Sequence, residues 1–173
     1  MDASDFGLLT LRLVVGLTFA AHGAQKAFGW WEGPGWIGWQ AVMLRLGFRP
    51  PAIFAGVSLV AELIGGVLLA IGFLTPLAVL ALIGQSVVII AKTHWSHGFW
   101  NRSNGFEFPL SLLAGAIAIG LIGPGFLSID ARAHIGASDT LRIGLILLGI
   151  VGGLATASLP EMVRRDDEAA ARR

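Results

Sequence analysis

Residues Leu8 to Phe28, LLTLRLVVGLTFAAHGAQKAF, constrain the fold most, because they are apolar enough to cross a bilayer yet carry Arg12, His22, Gln25 and Lys26. About 21 residues at 1.5 Å each reach about 31 Å, close to the hydrocarbon thickness. An ionisable side chain at a bilayer centre costs about 2.5–3.5 kcal/mol or more, so such groups face protein or water. At helical spacing Arg12, Gly16, Phe19, Gly23 and Lys26 form one stripe, with His22 one turn before Lys26 on an adjoining line. That stripe requires partners from the rest of the chain.

The composition agrees with a membrane setting. Over 173 residues, 55% are hydrophobic and only 13% charged, against about a quarter charged in soluble domains. The formal charge of +1 and the lack of a basic stripe give no argument for nucleic acid. Without cysteine there is no disulfide, thiolate nucleophile or iron–sulfur ligand, so redox chemistry would use a bound or partner cofactor. MDASDFG has no basic region ahead of the apolar stretch, and the first span is read as retained rather than as a signal peptide.

The rest of the chain reads as an all-α polytopic bundle. After the first span, Trp30, Trp31, Trp36 and Trp39 crowd around Gly-Pro-Gly, and Trp39 to Leu46 is too short to cross. Residues 29–51 are therefore expected to be an interfacial or re-entrant segment, serving as an aromatic anchor or as a lid over a ligand site. Pro50 and Pro51 suit a helix start before the second span, Ala52 to Phe73, which holds one charge, Glu62, near mid-depth. Ala61 with Gly65 offers it a small packing face. Leu77 to Ala91 is the third span, with Gln85 and Ser86 at its middle and Lys92 at its end. Asn104-Gly105 marks a turn before the fourth, Leu110 to Ile122, where Glu107 and Pro109 fit a first helical turn. Leu141 to Leu159 forms a fifth, with Gly149 and Gly153 as a small-residue face, and a charged tail, 160–173, is expected to fray. The placement of Lys and Arg favours the N-terminus outside and the C-terminus in the cytoplasm.

Depth counting along these spans groups the polar residues into two clusters: Glu62 with His22 and Gln85, and Lys26 with Lys92 and Glu107. Each has a plainer alternative. Lys26 could snorkel to the headgroups, and Glu62 could be a neutral, hydrogen-bonded structural residue. His94 and His97 lack a third ligand at set spacing and His22 lacks a second haem ligand at matching depth, so no metal site is expected.

The residues then resemble a known family. Arg12, Leu13, Gly16, His22, Gly23 and Lys26 are similar to the first-helix pattern of the DoxX family. Ala61 to Gly66 with Gly72 to Ala78 resembles its second and third helices, and Asn104 to Asp130 its fourth, so the likeness covers about residues 8–130. It implies a four-helix membrane core, 1–130, to which this chain adds a connection and fifth span at 131–159. The family takes its name from resemblance to a subunit of a thiosulfate:quinone oxidoreductase, with members linked to membrane redox complexes and oxidative stress. The resemblance therefore implies a bacterial inner-membrane protein and carries His22, Lys26, Glu62 and Glu107 as residues to test.

The leading expectation is an accessory or quinone-interacting subunit of a membrane redox assembly. A bound quinone is its cofactor, and the bilayer, respiratory or other redox subunits and a second copy of the chain are its partners. His22, Lys26, Glu62, Gln85, Lys92 and Glu107 are the candidate site residues, with no catalytic motif of the chain's own. A small proton-coupled transporter, a lipid-binding protein and a structural scaffold are the competing readings.

Overall fold

The computed structural model describes residues 2–170, with side chains through Pro160. The described chain is all helical: α1 (Ala3–Phe28), α2 (Gly35–Arg45), α3 (Pro51–Ile71), α4 (Thr75–His97), α5 (Glu107–Ile122), the single turn α6 (Ile129–Arg132) and α7 (Asp139–Ala170). Asp2 starts α1 through a capping box, accepting from the N–H groups of Ser4 and Asp5 while Asp5 accepts from Asp2. Helices α1, α3, α4 and the Asp139–Pro160 part of α7 are long and apolar enough to cross a membrane. The expected fourth span falls short: α5 has 16 residues, about 24 Å against about 30 Å of hydrocarbon, because Gly123 and Pro124 end it early. The side chains of the charged tail from 161 onward, and all of 171–173, lie outside the described residues.

Helices α1, α3, α4 and α5 make a four-helix bundle, with α4 packed between α3, α5 and an outer α7. Phe19, Leu69, Leu82, Ile83 and Ile119 meet at its centre. Val14, Leu17, Val57, Leu148 and Val151 point outward and are exposed, the inverse of a soluble surface and suited to lipid.

The tightest seam joins α1 to α3. A Cβ on Gly16 would lie 2.6 Å from the Gly66 carbonyl oxygen, one on Gly66 2.5 Å from the Ala20 nitrogen, and one on Gly23 2.5 Å from the Leu63 nitrogen. Only glycine lets these backbones touch. Gly65, expected with Ala61 to form a small face for close packing, meets the Leu82 side chain at an ordinary 3.5 Å, and the closest backbone approach is made by Gly66. One turn of π-helix at Val60–Ile64 precedes it; the extra residue rotates the remainder of the helix and turns Gly66 toward α1. The fifth-span glycines pack as expected, Gly149 against the Leu80 carbonyl and Gly153 against that of Gly84, at 2.9 and 2.7 Å from their would-be Cβ atoms.

A polar clip fastens the end of the bundle away from Lys26. Arg12, 1% exposed, donates to the carbonyls of Pro124 (2.8 Å) and Leu127. Asp130, fully buried, accepts from the N–H groups of Leu74 and Thr75 at the start of α4, both at 2.8 Å, and its own N–H donates to the Gly72 carbonyl. Gly72 sits at φ 66 against Arg12 and Ser128, where a side chain is excluded both by conformation and by space.

Gly16→Leu should lower the melting temperature in detergent, since overpacking costs about 1–3 kcal/mol even where a core can adjust. Gly144→Leu in α7, where nothing lies within 4 Å of the added carbon, should leave it nearly unchanged.

Candidate functional site

Gly23 brings α1 onto α3 at Leu63, and Lys26, less than a turn further along α1, therefore lies opposite Glu62. Their side chains form a buried ion pair. Glu62 is 1% and Lys26 8% exposed. The same Glu62 Oε1 accepts from Gln85 Nε2 at 3.0 Å, and Gln85 donates also to Ser58 Oγ at 2.8 Å. Lys26 Nζ stands 4.1 Å from the centroid of the Trp39 ring, a cation–π contact.

This network lies against a cavity of about 260 Å³ lined by His22, Lys26, Trp39, Glu62, Ser86 and Phe108, among others. Two residues of that lining each carry a buried polar atom with no partner among the described residues: Glu62 has Oε2, an acceptor, and Trp39 has Nε1, a donor. Both long helices that hold the cavity's far wall depart from α geometry beside it. In α3 the π-turn carries Glu62; in α4 a second, Ile90–His94, carries Thr93 and His94 to the lining. Such turns aim side chains that a regular repeat would direct elsewhere.

The structure regroups the expected clusters. Glu62 and Gln85 meet as expected, but Lys26 joins them and does not pair with Glu107. The reason is local: the loop after α4 folds back so that Asn101 N–H donates to Glu107 Oε2 at 2.9 Å, at the loop's surface. His22 lines the same cavity without bonding Glu62; its ring stands edge-on to Phe108, centroids 6.0 Å apart. Lys92 borders a small neighbouring cavity with Ser58, Gln85 and Trp39, close to the site but not in the ion pair. Nδ1 of His94 lies 2.6 Å from the Asn104 carbonyl oxygen and that of His97 3.1 Å from the Thr93 carbonyl oxygen, so each ring has its own backbone partner.

Trp39, in the site, and Asp130, in the clip at the opposite end, carry little signal in the sequence. Trp39 belongs to the expected anchor-or-lid segment, yet it is the wall over Lys26; its signal is a tryptophan on a short helix that also buries Met43. Asp130 sits in what reads as a polar connection, and only its place three residues after Gly-Phe-Leu, behind the helix-capping Ser128, hints at a turn.

Breaking a buried pair by removing one partner costs about 3–5 kcal/mol, whereas apolar replacement of both is often neutral. Lys26→Met or Glu62→Leu alone should therefore markedly lower thermal stability in detergent, and the double variant should recover most of it. Glu107→Gln should change it little; a large loss there, with none at Lys26, would point back to the Lys26–Glu107 pairing.

Comparison with known proteins agrees with a membrane setting. No solved structure matches the chain. An uncharacterized membrane protein of Mycobacterium tuberculosis is 31% identical over 136 residues, 72% of this chain and 80% of its own length. The inner membrane protein YphA of Escherichia coli (strain K12) is 28% identical over 146 residues, 74% of this chain and 95% of its own. The DoxX family profile matches residues 7–95, just over half of the chain and the part that holds Lys26, Trp39, Glu62 and Gln85, and the chain belongs to the DoxX family.

Proposed function

We propose that the Lys26–Glu62 cavity binds the polar headgroup of a quinone, and that the chain is a quinone-interacting or accessory subunit of a redox assembly in the bacterial inner membrane. The observation that carries this reading is the pair of buried, unpartnered atoms in one lining, Glu62 Oε2 and Trp39 Nε1. More than about nine in ten buried polar groups are hydrogen-bonded. An acceptor and a donor left over on side chains that line one cavity favour a ligand that offers both functions, reached by a small side-chain turn. A ring carbonyl accepts from Lys26 Nζ or Trp39 Nε1, and a quinol hydroxyl also donates to Glu62 Oε2. At about 260 Å³ the space is below the roughly 300–1,000 Å³ of whole-molecule pockets and suits a headgroup.

A bound quinone supplies reversible two-electron, two-proton chemistry. The chain's residues hold its oxygens, keep bulk water away with Phe19, Trp39 and Phe108, and offer Glu62 as a carboxylate for a hydroxyl proton. Partner redox subunits, or a second copy of the chain, complete the assembly. The Escherichia coli relative, named an inner membrane protein, supports that location, and the Lys and Arg distribution supports an outside N-terminus and a cytoplasmic C-terminus.

One observation favours a second reading, a proton-coupled transporter or lipid-binding protein: a carboxyl held within a π-turn and ion-paired to a lysine changes its pairing when it takes a proton. Proton-coupled flux in proteoliposomes, abolished by Glu62→Gln, would select that reading.

Purified protein should release quinone on lipid extraction, and added quinone should raise its melting temperature, since ligand at 100 times its dissociation constant stabilises by about 2.7 kcal/mol. Glu62→Gln replaces an acceptor by a donor, so the shift given by quinol should shrink more than that given by quinone, each against the variant's own ligand-free baseline. No quinone in the extract and no shift with either form would reject the quinone assignment.

A further inference from the structure

We propose that the hydrocarbon tail of the cavity's ligand leaves between His22 and Phe108 and lies along the outer face of α1, over Leu13, Val14, Leu17, Thr18 and Ala21. This inference rests on the headgroup reading above and adds the class of molecule it takes: an amphiphile with a small hydrogen-bonding head and a linear chain. His22 lines both the headgroup cavity and an open groove of about 600 Å³ formed by those α1 residues with Gln25 and Trp31. Helix geometry accounts for the double role. Val14, Thr18, His22 and Gln25 recur every three or four residues down the outward side, while Phe19, His22 and Lys26 do so on the side of the cavity. His22 belongs to both rows.

A tailed molecule whose head fills about 260 Å³ must send its chain out of the cavity, and two of its sides lead on to a groove. On the α4 side the Gln85 amide is bonded to Ser58 and Glu62, and beyond it lies a groove of about 340 Å³ along α7 glycines. Opening that side breaks two hydrogen bonds among partly or fully buried groups. On the α1–α5 side the closure includes two rings in edge contact, interplanar angle 61°, and rotation of Phe108, itself 42% exposed, parts them without breaking a hydrogen bond between them. The groove beyond is apolar: Thr18 turns its hydroxyl to the Val14 carbonyl at 2.7 Å. Its polar residues gather at one end, where Gln25 Nε2 reaches the Trp31 carbonyl at 3.5 Å.

The test uses the full chain in lipid nanodiscs with a quinone carrying a diazirine in its tail, irradiated and mapped by mass spectrometry. Label is expected on the 13–22 segment, with loss of that label on adding excess unlabelled quinone and in Leu17→Trp, which fills the groove. A tailless quinone should still raise the melting temperature of Leu17→Trp as it does that of the unaltered protein. Label on the α4–α7 groove, or label on α1 that excess quinone does not displace, as for bulk lipid contact, overturns the tail path. No thermal shift with the tailless quinone would overturn the headgroup reading itself, whereas a shift with tail label elsewhere would overturn the path alone.

Discussion

Backbone contact between α1 and α3 is the constraint on which the site depends. In a bilayer, apolar side chains gain little by leaving lipid for protein, so helices associate through close packing and shared polar groups. Gly16, Gly23 and Gly66 permit an approach at which main-chain atoms touch. Once Gly23 is seated on Leu63, an amine on α1 and a carboxylate on α3 face each other across a gap their side chains can close. The ion pair is thus a consequence of the glycine seam and also reinforces it, because neither charge can be exposed to hydrocarbon at modest cost.

The two ends of the bundle solve the polar problem differently. At the Arg12 end both terminal guanidinium nitrogens meet main-chain carbonyls, and Asp130 receives two N–H groups that the start of α4 would otherwise leave unpaired. Those interactions bind three segments of chain to one another. Arg12 Nε and Thr75 Oγ1 have no partner there among the described residues, but the guanidinium is wedged against Gly72. At the Lys26 end the charges pair between side chains, an aromatic ring covers the amine, and an acceptor and a donor remain buried and unpartnered, among the described residues, on side chains that line a cavity. An end whose charges are tied to main chain is suited to holding the fold, and one with spare groups around a cavity to holding something else.

The helices were legible in the sequence, four of them as spans, because these depend on length and apolar content, which a linear count measures well. The Gly149 and Gly153 face was legible for the same reason, since a four-residue spacing alone defines it. Partner choice was not. Depth counting treats helices as parallel rods of regular repeat, so it set Lys26 beside Glu107 and could not see that a π-turn displaces Glu62 or that Asn101 folds back to take Glu107. Asp130 was hidden because its partners are backbone N–H groups 55 and 56 residues away, which carry no side-chain signal. The grouping of Glu62 with Gln85, by contrast, needed only two mid-span polar residues on successive antiparallel helices.

The π-turn in α3 also fixes what the segment can tolerate. Deleting one residue from Val60–Ile64 would restore a regular repeat and turn everything on one side of the deletion by about 100° relative to the other. Glu62 aimed at Lys26 and Gly66 seated on Ala20 lie on opposite sides of part of that turn, so a shortened helix could keep the charge pairing or the close seam, but not both. The irregularity is the phase correction that lets one continuous rod serve two incompatible angular demands.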